Sequence, residues 1–314
     1  MKDLRIVFMG TPEFAVATLD ALVKAEFNVV GVITAPDKPA GRGRKLNESA
    51  VKKYALEQHL NILQPTNLKD EVFIAALKSL NANLQIVVAF RMLPKIVWQM
   101  PEFGTFNLHA SLLPNYRGAA PINWAIINGE TKTGVTTFFI DEKIDTGNII
   151  LQEEVAIEKD EILGDLHDKL KTIGSRLVVK TVKQIEKGVV KTTKQPEIEE
   201  KAAPKIFTKT CNINWNDSVT TIYNLIRGLN PYPAAWTTLI NNNEEIKVKI
   251  FDVTPIFEKH ALKTGFIVTT KNEIKVAVTN GFLKIESLQL AGKKNMDSKS
   301  LLNGYTFQVN SKMI

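Results

Sequence analysis

The chain has 314 residues, 44% of them hydrophobic, with a mean hydropathy of −0.06. That length exceeds one ordinary core and predicts two domains. A single cysteine, Cys211, excludes an internal disulfide, and no Cys/His spacing resembles a zinc site. The net charge of +7 sits towards the end: residues 205–314 hold 14 Lys+Arg against 8 Asp+Glu, and residues 1–204 hold 26 against 25. Solubility alone would account for that excess, and so would a region that meets a polyanion such as RNA.

No apolar run approaches the roughly 18 residues of a membrane span, and Met1 to Gly10 shows no secretory pattern. A cytoplasmic protein without a structural metal is expected. In chain order, Leu4–Met9 reads as a short apolar strand and Gly10-Thr11-Pro12 as a turn. Glu13 to Lys24 reads as a helix with Phe14, Leu19, Leu22 and Val23 on its buried stripe. The turn stands where a dinucleotide fold carries its glycine fingerprint, but the G-x-G-x-x-G spacing is absent, so no nicotinamide cofactor is expected.

Val29–Ile33 gives a second strand, followed by DKPAGRGRKL, Asp37 to Leu46. Glycines and a proline interrupt Lys38, Arg42, Arg44 and Lys45 there, a pattern suited to a mobile cationic loop that follows a sugar–phosphate backbone. Next come a helix over Asp70–Leu80, a strand over Leu84–Phe90, and Pro94, which closes that strand region and opens a short helix. Two further strands are centred on Asn107 and on Val135–Ile140, with a short helix Ile122–Asn128 between them. Ile149–Val155 pairs with the latter strand as a hairpin, and a long helix over Ile162–Lys187 ends at Gly188. This alternation predicts a parallel sheet covered by helices. Residues 191–205 are polar, hold two prolines, lack periodicity and read as a linker. A helix Ser218–Arg227 follows, with strands at Ile246–Val253, Gly265–Thr270, Ile274–Val278 and Phe282–Leu290, the pattern of a small antiparallel barrel.

The segment FNLHASLLPNYRGAAP, Phe106 to Pro121, carries the most chemical information. Side chains alternate faces along a strand, so Asn107 and His109 point the same way and Phe106 and Leu108 point into an apolar layer. Thirty-six residues after His109 stands Asp145, in the turn Ile144-Asp145-Thr146-Gly147. Each residue alone suits a structural role: a capping Asn, a satisfied His, an Asx-turn Asp. Together they supply an amide donor, a titratable imidazole and a carboxylate, the set that acyl transfer needs for an oxyanion, a proton shuttle and its orientation. No nucleophile of the enzyme's own accompanies them, so direct transfer is expected. A lone Asp-Thr-Gly in an α/β setting does not make an aspartic protease. His59, His167 and His260 lack evident partners and read as bystanders.

These segments resemble the methionyl-tRNA formyltransferases among the folate-dependent formyltransferases. The likeness extends to FMGTPEFA, DKPAGRGRKL, IDTG, LNPYPAAW (229–236) and LQLAGKKNM (288–296), nearly the whole chain. The His-x-Ser-Leu-Leu-Pro core is common to formyltransferases and formyltetrahydrofolate hydrolases, while the cationic loop, LNPYPAAW and the basic C-terminal part point to the tRNA-using branch. The resemblance implies an α/β fold: a Rossmann-like formyltransferase domain over 1–190, a linker over 191–205, and an OB-fold-like β-barrel domain over 206–314. It implies formyl transfer from 10-formyltetrahydrofolate to the methionine of initiator methionyl-tRNA for translation initiation, by a cytoplasmic monomer without a metal. Asn107, His109 and Asp145 fall on the family's catalytic positions and Ser111, Leu112, Leu113 and Pro114 on its folate-contacting loop. Lys38, Arg42, Arg44 and Lys45 lie in the segment expected to engage the tRNA acceptor end. Phe90, Arg91 and Met92 fall at the pterin pocket, where this chain departs from the family. Ala89-Phe90-Arg91-Met92-Leu93-Pro94 is about one residue shorter and has Arg in place of a small residue. The resemblance leaves open how His109 and Asp145 divide the acid and base roles.

Overall fold

Strand β1 (Ile6–Gly10) is buried at every residue. A strand covered on both faces reads as an unbroken apolar run, and this run was the first fold signal in the sequence. The computed structural model of the chain describes residues 2–40, 45–197 and 201–314. Packing divides the chain into two units. The first holds Met1–Gly118, Thr133–Ala156 and His167–Ala202; the second holds Ala119–Lys132, Ile157–Leu166 and Ala203–Ile314.

The first unit contains β1, β2 (Val29–Ile33), β3 (Lys38–Ala40), β4 (Lys45–Asn47), β5 (Ile62–Leu63), β6 (Leu84–Val88), β7 (Thr105–His109), β8 (Arg117–Gly118), β9 (Lys132–Phe139) and β10 (Ile149–Ala156). Its helices include α1 (Glu13–Lys24), α2 (Ala50–Glu57), α3 (Glu71–Ser79) and α4 (Lys95–Trp98), and most of the long helix Leu163–Lys187 belongs to it as well. Helix starts follow their caps: the Ser49 side chain accepts from Lys52 N and Asp70 from Phe73 N, each at 3.0 Å. The main sheet runs β10-β9-β7-β6-β1-β2-β5. From β5 to β7 the pairings are parallel, but β9 is antiparallel to β7. The expected parallel sheet is therefore mixed at this edge.

That reversal positions the site. Phe139 stands opposite Phe106 and Thr136 opposite His109, so β9 ends beside the start of β7, where Ile140 N bonds Thr105 O at 2.8 Å. Asp145 lies in the segment that follows, and it reaches His109 by folding back along β7. His109 and Asp145 are thereby brought within 3.7 Å, and Asn107 shares the strand face of His109. Beneath them the core holds Val7, Met9, Ile33, Phe73, Leu77 and Val87, with Phe106 fully buried in the opposite layer.

The second unit holds α5 (Pro121–Ile127), the first turn of the long helix α6 (Leu163–Lys187), α7 (Val219–Arg227) and α8 (Ser298–Leu302). After β11 (Ala202–Ala203) its strands are β12 (Ala235–Asn241), β13 (Glu244–Ile256), β14 (Ile267–Thr269), β15 (Ile274–Val278), β16 (Gly281–Leu290), β17 (Met296–Asp297) and β18 (Lys312–Met313). They run β14-β15-β16-β13-β12-β18, with β17 on β16, and a bridge between Phe266 and Lys312 joins the two ends. The result is a nearly closed antiparallel barrel, cored by Val248, Ile250, Val276, Leu283 and Ile285 with Ile222 and Ile226 of α7. Sequence periodicity missed β12 because two of its inward residues are polar. Thr237 is satisfied by Trp215 Nε1 at 2.9 Å, and Asn241 by the hydroxyl of Ser311 and the backbone N–H of Gln308.

Candidate active site

Strand β7 carries His109 nearly buried and Asn107 half-buried on one face. His109 Nε2 lies 2.8 Å from the carbonyl oxygen of Tyr116. A carbonyl only accepts, so Nε2 carries a hydrogen and donates it. The other nitrogen, Nδ1, faces Asp145 Oδ2 at 3.7 Å. That oxygen also accepts from Gly118 N at 2.9 Å. Asn107 makes no side-chain hydrogen bond among the described residues, so its amide is unspent.

Of the folate-loop residues named from sequence, Ser111 and Leu113 bond to Asn115 and to the neighbouring strands β9 and β10. Ser111 is fully buried; its hydroxyl donates to Asn115 O at 2.7 Å, and its carbonyl accepts from Thr136 Oγ1 at 2.6 Å. Gln152 Nε2 donates to Leu113 O and to Thr136 Oγ1, both at 2.9 Å. Leu113 is buried, Leu112 and Pro114 are half-buried, and the Leu113–Pro114 bond is cis. Asn115 Oδ1 is buried with no hydrogen-bond partner among the described residues. Sequence reading missed Thr136 and Gln152, which hold the loop, because neither differs locally from an ordinary strand residue.

At the end of β6 the chain turns through Ala89, with φ +47°. Phe90 packs on the core of the first unit, and Met92 is exposed. Arg91 donates Nη1 to Thr66 O at 2.9 Å and Nη2 to Pro65 O, with its guanidinium 5.4 Å from the centre of the Phe90 ring. Partial burial lowers its pKa from the ordinary arginine value. Its fork is thus engaged with the 65–66 turn.

Arg42 and Arg44 of the cationic loop lie outside the described residues. Lys38 is exposed on β3, which pairs with β4 through Lys38 opposite Asn47 and Ala40 opposite Lys45, so the flanks of the predicted loop form a ladder. Asp37 anchors its base, paired with Lys52 and accepting Gln64 Nε2 at 2.8 Å. The Lys52 ammonium holds the Asp37 carboxyl below its usual pKa.

The turn bearing Asp145 is held tightly. Its φ of +57° falls in the left-handed region that short polar side chains tolerate. Arg117 Nε donates to Asp145 O at 3.1 Å, and Gln195 Nε2 donates to Asp145 O and Gly147 O at 3.0 and 2.7 Å. Gln195 falls in the segment that reads as a linker from sequence. Within that segment, Thr193 exchanges two backbone bonds of 2.8 Å with Ile149. A Cβ on Gly147 would stand 1.6 Å from the backbone oxygen of Phe139, which no side-chain motion relieves. Gly147→Ala is therefore expected to cost at least about 1–3 kcal/mol, the usual range for overpacking. Urea denaturation checks this, and an unchanged midpoint would contradict the close approach.

Among the described residues there is no helix long and apolar enough to cross a membrane, and no cluster of three metal-ligating acidic, His or Cys side chains. The formyl transferase family model matches residues 4–182, and the formyl transferase C-terminal domain matches residues 205–306. Methionyl-tRNA formyltransferase of Flavobacterium johnsoniae is 61% identical over 314 residues, 100% of each chain. That of Bacteroides thetaiotaomicron is 54% identical over 318 aligned positions, 99% of each chain. Among solved structures, a sugar 3N-formyl transferase crystallised with dTDP and 5-N-formyl-THF superposes with a TM-score of 0.64 at 24% identity, covering 94% of this chain and 100% of that one. HypX from Aquifex aeolicus in complex with tetrahydrofolic acid gives 0.65 at 18% identity, covering 96% of this chain and 47% of that one. At those identities the structures speak for the fold, while the full-length relatives speak for the family. The chain belongs to the methionyl-tRNA formyltransferase family.

Proposed function

We propose that the chain transfers the formyl group of 10-formyltetrahydrofolate to the free amino group of methionine on initiator methionyl-tRNA. The observation that carries this reading is the His109 imidazole, pinned at Nε2 and facing a carboxylate at Nδ1, on the same strand face as an unspent Asn107 amide. The Asn107 amide, half-buried and without a side-chain hydrogen bond among the described residues, suits a ligand carbonyl. The loop Ser111–Pro114 and the turn Phe90–Met92 would hold the folate, with Leu112 and Pro114 as apolar surface. When bound, the folate supplies an activated N-formyl carbonyl.

The chain's residues do the rest. Asn107 donates to the carbonyl oxygen as negative charge builds during attack by the neutral amine. The amine loses one proton and the departing folate nitrogen gains one, so the net proton traffic balances. His109 Nδ1 and Asp145 Oδ2 form the relay for it, and the carboxylate stabilises the imidazolium. Lys38, Arg42, Arg44 and Lys45 contact phosphates near the acceptor end, and the basic barrel extends the electrostatic footprint. In this reading the protein acts as a cytoplasmic monomer and needs no metal.

The test is incubation with 10-formyltetrahydrofolate and methionyl-tRNA, initiator and elongator. Formylated initiator methionyl-tRNA supports the reading, and formate release without tRNA would replace it with a hydrolase. Arg42→Ala is expected to raise KM for tRNA with little change in folate KM, and to reduce the salt slope by about 1. An unchanged slope would remove the loop from the tRNA site.

A further inference from the structure

Gln195 is 50 positions from Asp145 in sequence, yet both ends of its side-chain amide are committed beneath that residue. It is only 5% exposed. Its Nε2 donates to the carbonyls of Asp145 and Gly147 at 3.0 and 2.7 Å. Its Oε1 accepts from Arg117 Nη2 at 2.8 Å and Nε at 3.3 Å. Arg117, itself buried, also reaches Asp145 O with Nε and Pro196 O with Nη2, at 3.1 and 3.0 Å. The amide has one workable orientation, because its oxygen must face a guanidinium and its nitrogen two carbonyls.

Strand β8 thus holds Asp145 twice. The Arg117 side chain binds its main chain, while the Gly118 main chain binds its side chain at 2.9 Å. Gln195 locks the first of these contacts. A segment that merely joined two domains would be fixed by the Thr193–Ile149 bridge, with no need for a fully bonded buried amide two residues later.

We propose that Gln195, acting with Arg117, is a positioning residue for formyl transfer: it fixes the Asp145 peptide so that the carboxylate stays against His109 Nδ1. This rests on the reading that Asp145 and His109 relay the proton. Groups that orient a catalytic side chain from behind typically matter by 10–100-fold, because a misplacement of about 1 Å at the reacting centre is enough to cost that much.

Gln195→Met keeps the volume and removes both functions of the amide. In the folded variant kcat is expected to fall about 10–100-fold, with KM for folate and for tRNA nearly unchanged. The decisive measurement repeats the substitution in an Asp145→Asn background by single-turnover transfer. With the carboxylate gone, Gln195→Met should produce no further fall, and the two effects should be non-additive. A merely structural role would lower the rate equally in both backgrounds. If Gln195→Met melts below assay temperature, Gln195→Asn takes its place; it is one methylene too short to reach both partners, and the same fall is expected. Near-normal kcat in either folded variant, or an equal fall in both backgrounds, overturns the proposal. No formyl transfer by the unaltered chain would instead overturn the function it rests on.

Discussion

Asp145→Asn is expected to lower kcat by about 10³–10⁴, the scale seen when a buried carboxylate beside a catalytic imidazole becomes an amide. Asparagine fits the space, and its oxygen still accepts from Gly118 N, which Asp145 Oδ2 does at 2.9 Å. That same position faces His109 Nδ1 at 3.7 Å, so the substitution sets a neutral amide oxygen there in place of a charged one. Nε2 already donates to Tyr116 O, and the relay loses the charge that stabilises an imidazolium during transfer. Folding should be unaffected, since the main chain of the turn keeps its bonds to Arg117 and Gln195. Rapid-quench transfer to initiator methionyl-tRNA measures the effect, with a thermal melt as control. Turnover above a tenth of normal would show that the carboxylate is dispensable.

Asn107 and His109 were legible because strand alternation is a local property: two residues apart means one face, whatever the sheet does. Asp145 could be named as a polar turn residue, but its route to His109 depends on β9 running antiparallel to β7, which local pattern does not encode. Helix α1 was read to its end residues because an acidic first turn and an apolar stripe agree over 12 residues. Strand β12 was lost because Thr237 and Asn241 face inward and are satisfied by distant partners. Gln195 was hidden for the same reason. In sequence it sits among lysines, threonines and a proline that read as linker, and only three-dimensional contact shows its amide spent on Asp145, Gly147 and Arg117. The resemblance places Arg91 at the pterin pocket, and only the folded chain shows its guanidinium donating to the carbonyls of residues 65 and 66.

Asn107→Ala isolates the other half of the chemistry. The strand interior fixes its backbone, with Asn107 paired to Val87 on one side and Phe138 on the other, so truncation leaves the sheet intact. No hydrogen bond is lost on folding, because the amide makes none among the described residues, and the melting temperature should move little. The loss should appear in the rate, at about 10²–10³ in kcat, the cost of removing one donor aimed at an oxyanion. Because that bond strengthens only as the carbonyl oxygen becomes charged, kcat and kcat/KM should fall by the same factor. Asn107→Asp sharpens the contrast: it keeps the shape but sets an acceptor against the developing charge, so its turnover should fall below that of the alanine variant. A rise in folate KM at unchanged kcat would show Asn107 holding the ground state, and the donor to the oxyanion would have to be sought elsewhere on the strand face.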